Sequence, residues 1–231
     1  MAMALVMSAA CAASAAGARA PGVPELVADL QRGGYVIVMR HAHAPEAPPS
    51  GTETDRANRN GERQLDAAGR ASASAMGSAI RRLRVPVGIV WSSPTYRAVE
   101  TARLARLRSP RIVPELGDNG RSMQATNDTQ GALLRTHANQ TPRRGTDTVI
   151  VTQYPNIAAA FGNAATGMKD GEALVLRPGP AGPQVVGRIG MDQWPSLARG
   201  RRRGETMAHD RRDGRSHRLY RPRPAAAAAI G

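Results

Sequence analysis

An apolar run that stops abruptly at two basic residues constrains this chain more than any other segment. Residues 35–39 are long enough for a buried β-strand, and Arg40-His41 follow them directly. Open α/β sheets bind ligands at the carboxyl ends of parallel strands. A guanidinium offers phosphate a planar fork of donors, and an imidazole can act as nucleophile or proton carrier near neutral pH. The segment therefore predicts phosphoryl chemistry at a strand end.

Two further apolar runs, at 87–91 and 148–152, also end in polar residues, and segments with helical periodicity separate the three runs. Because strands alternate with helices, we expect one α/β sheet covered by helices on both faces. The predicted helices are 24–31, 67–84, one opening at Ser92-Ser93-Pro94, 126–139 and one starting at Pro155. Short strands are predicted at 111–113, 172–177 and 184–189.

The composition predicts one globular domain followed by a basic tail. Apolar residues make up 41% of the 231-residue chain, enough for one core. Half of the net charge of +14 lies in residues 199–231, where ten arginines stand against three carboxylates. This tail lacks apolar periodicity, so we expect it to be disordered. A single aromatic residue, Tyr220, lies among its arginines. We therefore expect no specific nucleic-acid binding; a basic arm for nucleic acid or an anionic membrane is the alternative.

The first 20 residues have the pattern of an export signal. Small and apolar residues precede Ala18-Arg19-Ala20, a typical cleavage site, and Pro21 follows it. We expect cleavage after Ala20, export to the periplasm and a mature domain over residues 21–198; lipidation at Cys11 is the alternative. The apolar run is too short to span a bilayer, so no membrane span is expected. Cys11 is the only cysteine, so the mature chain would contain no disulfide.

Several segments resemble the histidine phosphatase superfamily, which has the phosphoglycerate-mutase-like fold. Met39-Arg40-His41-Ala42 is similar to its Arg-His-Gly signature, with Ala in place of Gly. The segment from Ser92 to Ala102 resembles the one that carries the family's second phosphate-binding arginine, here Arg97. Residues 63–70 resemble its loop-to-helix segment, and residues 171–178 the terminal strand of a small exported branch. The resemblance covers about residues 24–198 and implies a three-layer α/β/α sandwich with a mostly parallel central sheet.

The resemblance implies hydrolysis of phosphomonoesters through a phosphohistidine intermediate on His41. Arg40 and Arg97 would hold the phosphoryl oxygens and neutralise the charge that develops during transfer. The expected partner is a small phosphorylated substrate or phosphate itself. No cofactor is expected. No metal is expected either, because the spacing of the histidines outside the signature does not suit a zinc site.

A carboxylic acid would protonate the leaving oxygen and then activate water. Glu115 or Asp118 is the expected acid, because their loop follows a strand and can overhang the pocket. Asp128, Glu46, or no fixed acid are the alternatives.

One position departs from the family. Gln153 stands after the third strand, where the family carries its second catalytic histidine. A glutamine amide can donate to a phosphate oxygen, but it carries no charge and cannot titrate. We therefore expect Gln153 to bind phosphate and turnover to be weak. The alternative is an inactive pseudophosphatase that binds phosphate or a phosphorylated ligand.

Overall fold

Strands and helices alternate along the chain in a computed structural model that describes residues 21–117 and 128–200. The elements are α1 (Val23–Leu30), β1 (Val36–Arg40), α2 (Ala67–Arg82), β2 (Val87–Ser92), α3 (Tyr96–Ala105), β3 (Arg111–Ile112), α4 (Asp128–Ala138), β4 (Asp147–Thr152), α5 (Tyr154–Phe161), β5 (Ala173–Arg177), β6 (Gln184–Ile189) and α6 (193–200).

The six strands form one sheet in the order β3-β2-β4-β1-β5-β6. The first four are parallel, while β5 is antiparallel to β1 and β6 is antiparallel to β5. Five of the six strands therefore point the same way, which confirms the predicted mostly parallel sheet. The carboxyl ends of β2, β4 and β1 lie side by side at one edge.

Helices cover both faces of the sheet because successive strand residues point to opposite sides. Ile37 and Met39 pack into a core with side chains of α1, α2 and α3. Val36 and Val38 pack into a second core with side chains of α4 and α5. Trp194 of α6 is buried in the first core. These layers form the α/β/α sandwich that the sequence predicted.

The third helix begins later than predicted. We expected it to open at Ser92-Ser93-Pro94, but α3 begins at Tyr96 and Thr95 has an extended backbone. The hydroxyl groups of Ser93 and Thr95 both accept hydrogen bonds from the Gln153 side chain. This tertiary contact holds residues 93–95 outside the helix, so Pro94 does not stand in the first helical turn.

Parts of the predicted organisation lie outside the described residues: the export signal over residues 1–20, the loop residue Asp118 and residues 201–231 of the basic tail. These assignments stay predictions. Within the described residues, no helix combines the length and the apolar character needed to cross a membrane.

A buried carboxyl group lies at the opposite edge of the sheet from the strand ends described above. Asp147 begins β4, is fully buried, and accepts a hydrogen bond from the Tyr35 backbone N–H at 2.9 Å through Oδ1. Its Oδ2 has no hydrogen-bond partner among the described residues. Burial raises the pKa of Asp147 to about 7, although the Tyr35 hydrogen bond acts in the other direction.

We predict that Asp147 makes the protein less stable as the pH rises. Below its unfolded-state pKa the group is protonated in both states. Between that value and about 7 the unfolded chain ionises first, so the free energy of unfolding falls by roughly 4 kcal/mol in total, an order-of-magnitude figure. Asp147→Asn keeps an oxygen that can accept the hydrogen bond from the Tyr35 N–H, and it cannot ionise, so the loss of stability with rising pH disappears. Urea unfolding at pH 4 and pH 8 should show the variant gaining stability over the parent at the higher pH; an equal difference at both values would contradict the prediction.

Candidate active site

Three loops leave the sheet side by side where β2, β4 and β1 end. The backbone N–H of His41 donates to the carbonyl of Thr152 at 3.0 Å, which continues the β1–β4 pairing by one residue. The N–H of Ser93 donates to the carbonyl of Val151 at 2.9 Å on the other side of β4. These bonds bring the first residues after each strand, among them His41, Ser93 and Gln153, to one edge of the sheet.

His41 is a buried, neutral imidazole, and one of its ring nitrogens is hydrogen-bonded to the backbone. Its side chain is 3% exposed, and Nδ1 lies 2.7 Å from the Ala42 carbonyl oxygen. Because a carbonyl oxygen only accepts, Nδ1 carries the proton and Nε2 keeps its lone pair. Burial lowers the pKa of His41 to about 3, assisted by the charges of nearby arginines and opposed by the Ala42 hydrogen bond. The ring is therefore a ready nucleophile at neutral pH.

Three arginines, Arg97, Arg40 and Arg63, lie near enough to His41 to lower its pKa through their charges. Arg97 is buried in the first turn of α3. One turn later, the Thr101 hydroxyl donates to the Arg97 carbonyl at 2.8 Å and accepts the Ala42 N–H at 3.0 Å. This buried hydroxyl fixes α3, and with it Arg97, against the loop that carries His41.

Arg40 is held from several sides at the end of β1. Its Nη1 donates to the Met168 carbonyl at 3.1 Å, and Nη2 lies 2.7 Å from Oδ1 of Asp170. The guanidinium also lies over the Tyr154 ring, 5.7 Å from its centre. Its Nε is buried and has no hydrogen-bond partner among the described residues. A buried donor of this kind suits an anionic acceptor.

Arg63 is a member of the cluster that the sequence analysis did not select. Its Nε and Nη2 donate to the carbonyls of Pro45 and Ala44 at 2.8 and 2.6 Å. Burial lowers its pKa, and the charges of Arg97 and Arg40 act in the same direction. The sequence showed only that Arg63 precedes the cap of α2, and no periodicity indicates that this loop folds back over His41.

The structure places Glu115 and the alternative acid Asp128 in two different elements. Glu115 is exposed in a 3-10 turn, Pro114–Leu116, and Asp128 is the first residue of α4. Glu46 and Asp170 both lie near enough for their charges to act on Arg63 in the direction that raises its pKa. Asp170 also binds Arg40. Asp170 was not selected from the sequence. The antiparallel pairing of β5 with β1 places the turn before β5 beside the end of β1, and only the strand order reveals this.

Gln153 faces the protein interior with its amide fully engaged. Nε2 donates to the hydroxyl oxygens of Ser93 and Thr95 at 2.6 and 2.5 Å, and Oε1 lies 3.0 Å from the Thr152 hydroxyl. Both amide protons are therefore used within the protein. In this arrangement Gln153 binds the segment that leads into α3, and its expected role as a phosphate ligand stays a prediction.

We predict that Gln153 is important for stability. Gln153→Ala removes these buried hydrogen bonds and should lower the free energy of unfolding by about 2–4 kcal/mol, since each contributes about 0.5–1.5 kcal/mol. Gln140→Ala, which truncates an exposed glutamine, should change it by less than about 0.5 kcal/mol. Urea unfolding of both variants checks the prediction, and equal, small effects would contradict it.

Comparisons with known proteins agree with this architecture. Residues 36–147 match the family model of the histidine phosphatase superfamily (branch 1). The solved structure of the protein histidine phosphatase SixA, complexed with tungstate, is similar with a TM-score of 0.51 and 16% identity, over 69% of this chain and 98% of that one. A phosphoserine phosphatase from Entamoeba histolytica in complex with 3-phosphoglyceric acid gives a TM-score of 0.48 and 13% identity, over 68% and 96%. No curated protein matches the sequence.

The matched segment begins in β1 and ends at Asp147. It includes His41 and the three arginines around it, and it stops before Gln153 and Asp170. Over residues 36–147, and in the phosphoglycerate-mutase-like arrangement of its sheet and helices, this chain is therefore similar to the histidine phosphatase superfamily.

Proposed function

We propose that this protein hydrolyses phosphomonoesters through a phosphohistidine intermediate on His41. The observation that carries the proposal is a buried neutral imidazole, fixed through Nδ1, whose pKa is lowered by burial and further by the charges of three surrounding arginines. The arginines attract a phosphate dianion, and the imidazole keeps its lone pair beside them. The family match over residues 36–147 and the fold shared with a protein histidine phosphatase support the same reaction.

The reaction proceeds in two displacements at phosphorus. First, the Nε2 lone pair of His41 forms a bond to phosphorus as the bond to the leaving oxygen breaks, and that oxygen departs with the electron pair and takes up a proton. Water then gives up a proton and attacks phosphorus, the phosphorus–nitrogen bond breaks, and its electron pair returns to Nε2. Guanidinium donors of Arg40, Arg63 and Arg97 bind the phosphoryl oxygens and neutralise their charge in both steps.

The positive charge of Arg63 offsets part of the charge that is lost because Gln153 stands in place of a second histidine. A second histidine would place an additional charged donor beside the phosphoryl group, and Gln153 uses its amide protons on Ser93 and Thr95 instead. Arg63 contributes a third guanidinium to a site for which the sequence indicated two. We infer that the site keeps enough positive charge to bind a dianion.

A phosphate-binding module without turnover is the second candidate function, and the engaged amide of Gln153 favours it. Loss of one charged donor from such a site typically lowers turnover by roughly a hundredfold to a thousandfold. Binding of phosphate by the arginines does not depend on the missing histidine. Export to the periplasm and membership of a small exported branch stay predictions that rest on the sequence alone.

We predict that the full chain hydrolyses p-nitrophenyl phosphate and that His41→Ala abolishes this activity. Arg63→Gln should lower kcat/KM by roughly a hundredfold, because a charged donor to the transition state is lost. Arg59→Ala, which removes an exposed arginine from the same loop, is the matched control and should leave kcat/KM unchanged.

Steady-state kinetics of the four proteins, together with their melting temperatures in inorganic phosphate, decide between the two functions. The binding module would be established if the parent shows no turnover, phosphate raises the melting temperature of the parent, and phosphate does not raise that of Arg63→Gln. A parent with neither turnover nor a phosphate-dependent shift would contradict both.

A further inference from the structure

A second histidine lies on the His41 loop, two residues further along the chain, and is held in a defined orientation. His43 is about half exposed, and its Nδ1 lies 2.9 Å from Oδ2 of Asp66. The other carboxylate oxygen of Asp66 accepts the Gly69 N–H at 2.7 Å, which caps α2. The Gly69 hydrogen bond, aided by His43, lowers the pKa of Asp66 against the effect of burial, so the group is a carboxylate at neutral pH. A fixed anion therefore orients the ring through Nδ1.

The other ring nitrogen of His43 lies beside a carboxylate that binds Arg40. Its Nε2 lies 4.0 Å from Oδ2 of Asp170, and Oδ1 of the same carboxylate lies 2.7 Å from Arg40 Nη2. The turn that carries Asp170 is itself bound to the active-site strand, since the Gly171 N–H donates to the His41 carbonyl at 2.9 Å. The chain of contacts Asp66–His43–Asp170–Arg40 thus runs from the cap of α2 to a predicted phosphate ligand.

An open cavity of about 500 Å³ begins at His43 and Asp170. Its wall combines apolar surface, to which Met191 contributes, with polar and charged side chains of both signs: Ser72, Lys169, Glu172, Asp192 and Gln193. The polar and charged side chains of this wall can hydrogen-bond to the hydroxyl groups of a small alcohol. Asp170 both lines this cavity and binds Arg40, so the cavity begins one side chain away from the predicted phosphate ligand.

We propose that this cavity holds the alcohol portion of the substrate and that His43 is the general acid and base of the reaction, with Asp66 as its positioning residue. The inference rests on the proposed phosphatase function. It assigns the proton transfers to a residue other than Glu115 or Asp118 and assigns the substrate class as phosphate esters of small polar alcohols.

The protons balance across the two steps. As the phosphorus–oxygen bond breaks, the leaving oxygen takes the proton from Nε2–H of the His43 imidazolium, which lies between the carboxylates of Asp66 and Asp170. The neutral ring then removes a proton from water while the water oxygen bonds to phosphorus. His41 is restored as its bond to phosphorus breaks, and His43 is again protonated.

A comparison of leaving groups tests this assignment in the full chain. The phenolate of p-nitrophenyl phosphate leaves readily without a proton, whereas the alkoxide of β-glycerol phosphate requires one. His43→Gln can still hydrogen-bond to Asp66 but cannot transfer a proton. It should keep kcat/KM for p-nitrophenyl phosphate within about threefold and lower kcat/KM for β-glycerol phosphate about a hundredfold or more, because kcat/KM reports the first displacement and not the later attack of water, which both substrates share.

Asp66→Asn is the second variant, because asparagine also caps helices and should preserve the fold. We expect it to show the same selective loss on β-glycerol phosphate, smaller in size, with a melting temperature close to that of the parent. Equal losses of kcat/KM on both substrates, or none on either, in His43→Gln would overturn the role of His43. Activity that survives in His41→Ala would instead overturn the proposed function itself, and a parent that hydrolyses neither ester would overturn both proposals.

Discussion

The parallel pairing of β1 with β4 is the constraint on which the site depends. It sets Arg40 opposite Thr152, and the next hydrogen bond, from His41 to Thr152, carries the pairing past the end of the strand. The antiparallel pairing of β5 on the other side of β1 then brings the turn with Asp170 to the same edge. A change of one residue in the β1 register would direct His41 to the opposite face of the sheet and separate it from this surrounding structure.

Burial and positive charge act together on His41. Removing an imidazole from water disfavours its charged form, and three guanidinium groups disfavour it further. Both effects keep the lone pair available, and the same positive charge attracts a phosphate dianion. The Ala42 carbonyl determines which nitrogen presents that lone pair. A neutral imidazole already has its lone pair, so a nucleophile in this geometry needs no base to remove a proton from it.

Local sequence pattern was sufficient for the fold and for part of the site. The apolar runs that form β1, β2 and β4 are buried strands, and residues that follow them meet at one edge, as parallel strands require. Three features depended on tertiary contacts instead. Arg63 reaches the site because its loop folds back onto the carbonyls of Ala44 and Pro45. Asp170 reaches the site because β5 pairs with β1, which brings the turn before β5 beside the end of β1.

Gln153 is the third such feature, and the most informative. Its position in the chain indicated a substitute for a catalytic group, but side-chain hydrogen bonds to Ser93 and Thr95 decide where its amide points. The same contacts explain why α3 begins at Tyr96. Position in a motif predicted which residues lie at the strand ends, whereas the hydrogen-bond partners decide what each of them can do.

Chemical trapping of the phosphoenzyme tests the central claim, that His41 is the nucleophile. The full chain is mixed briefly with a radiolabelled phosphomonoester, quenched in alkali and digested. The account predicts label that is stable in alkali and labile in acid, confined to the peptide that contains His41. Turnover without labelled protein, or label on a different residue, would contradict it.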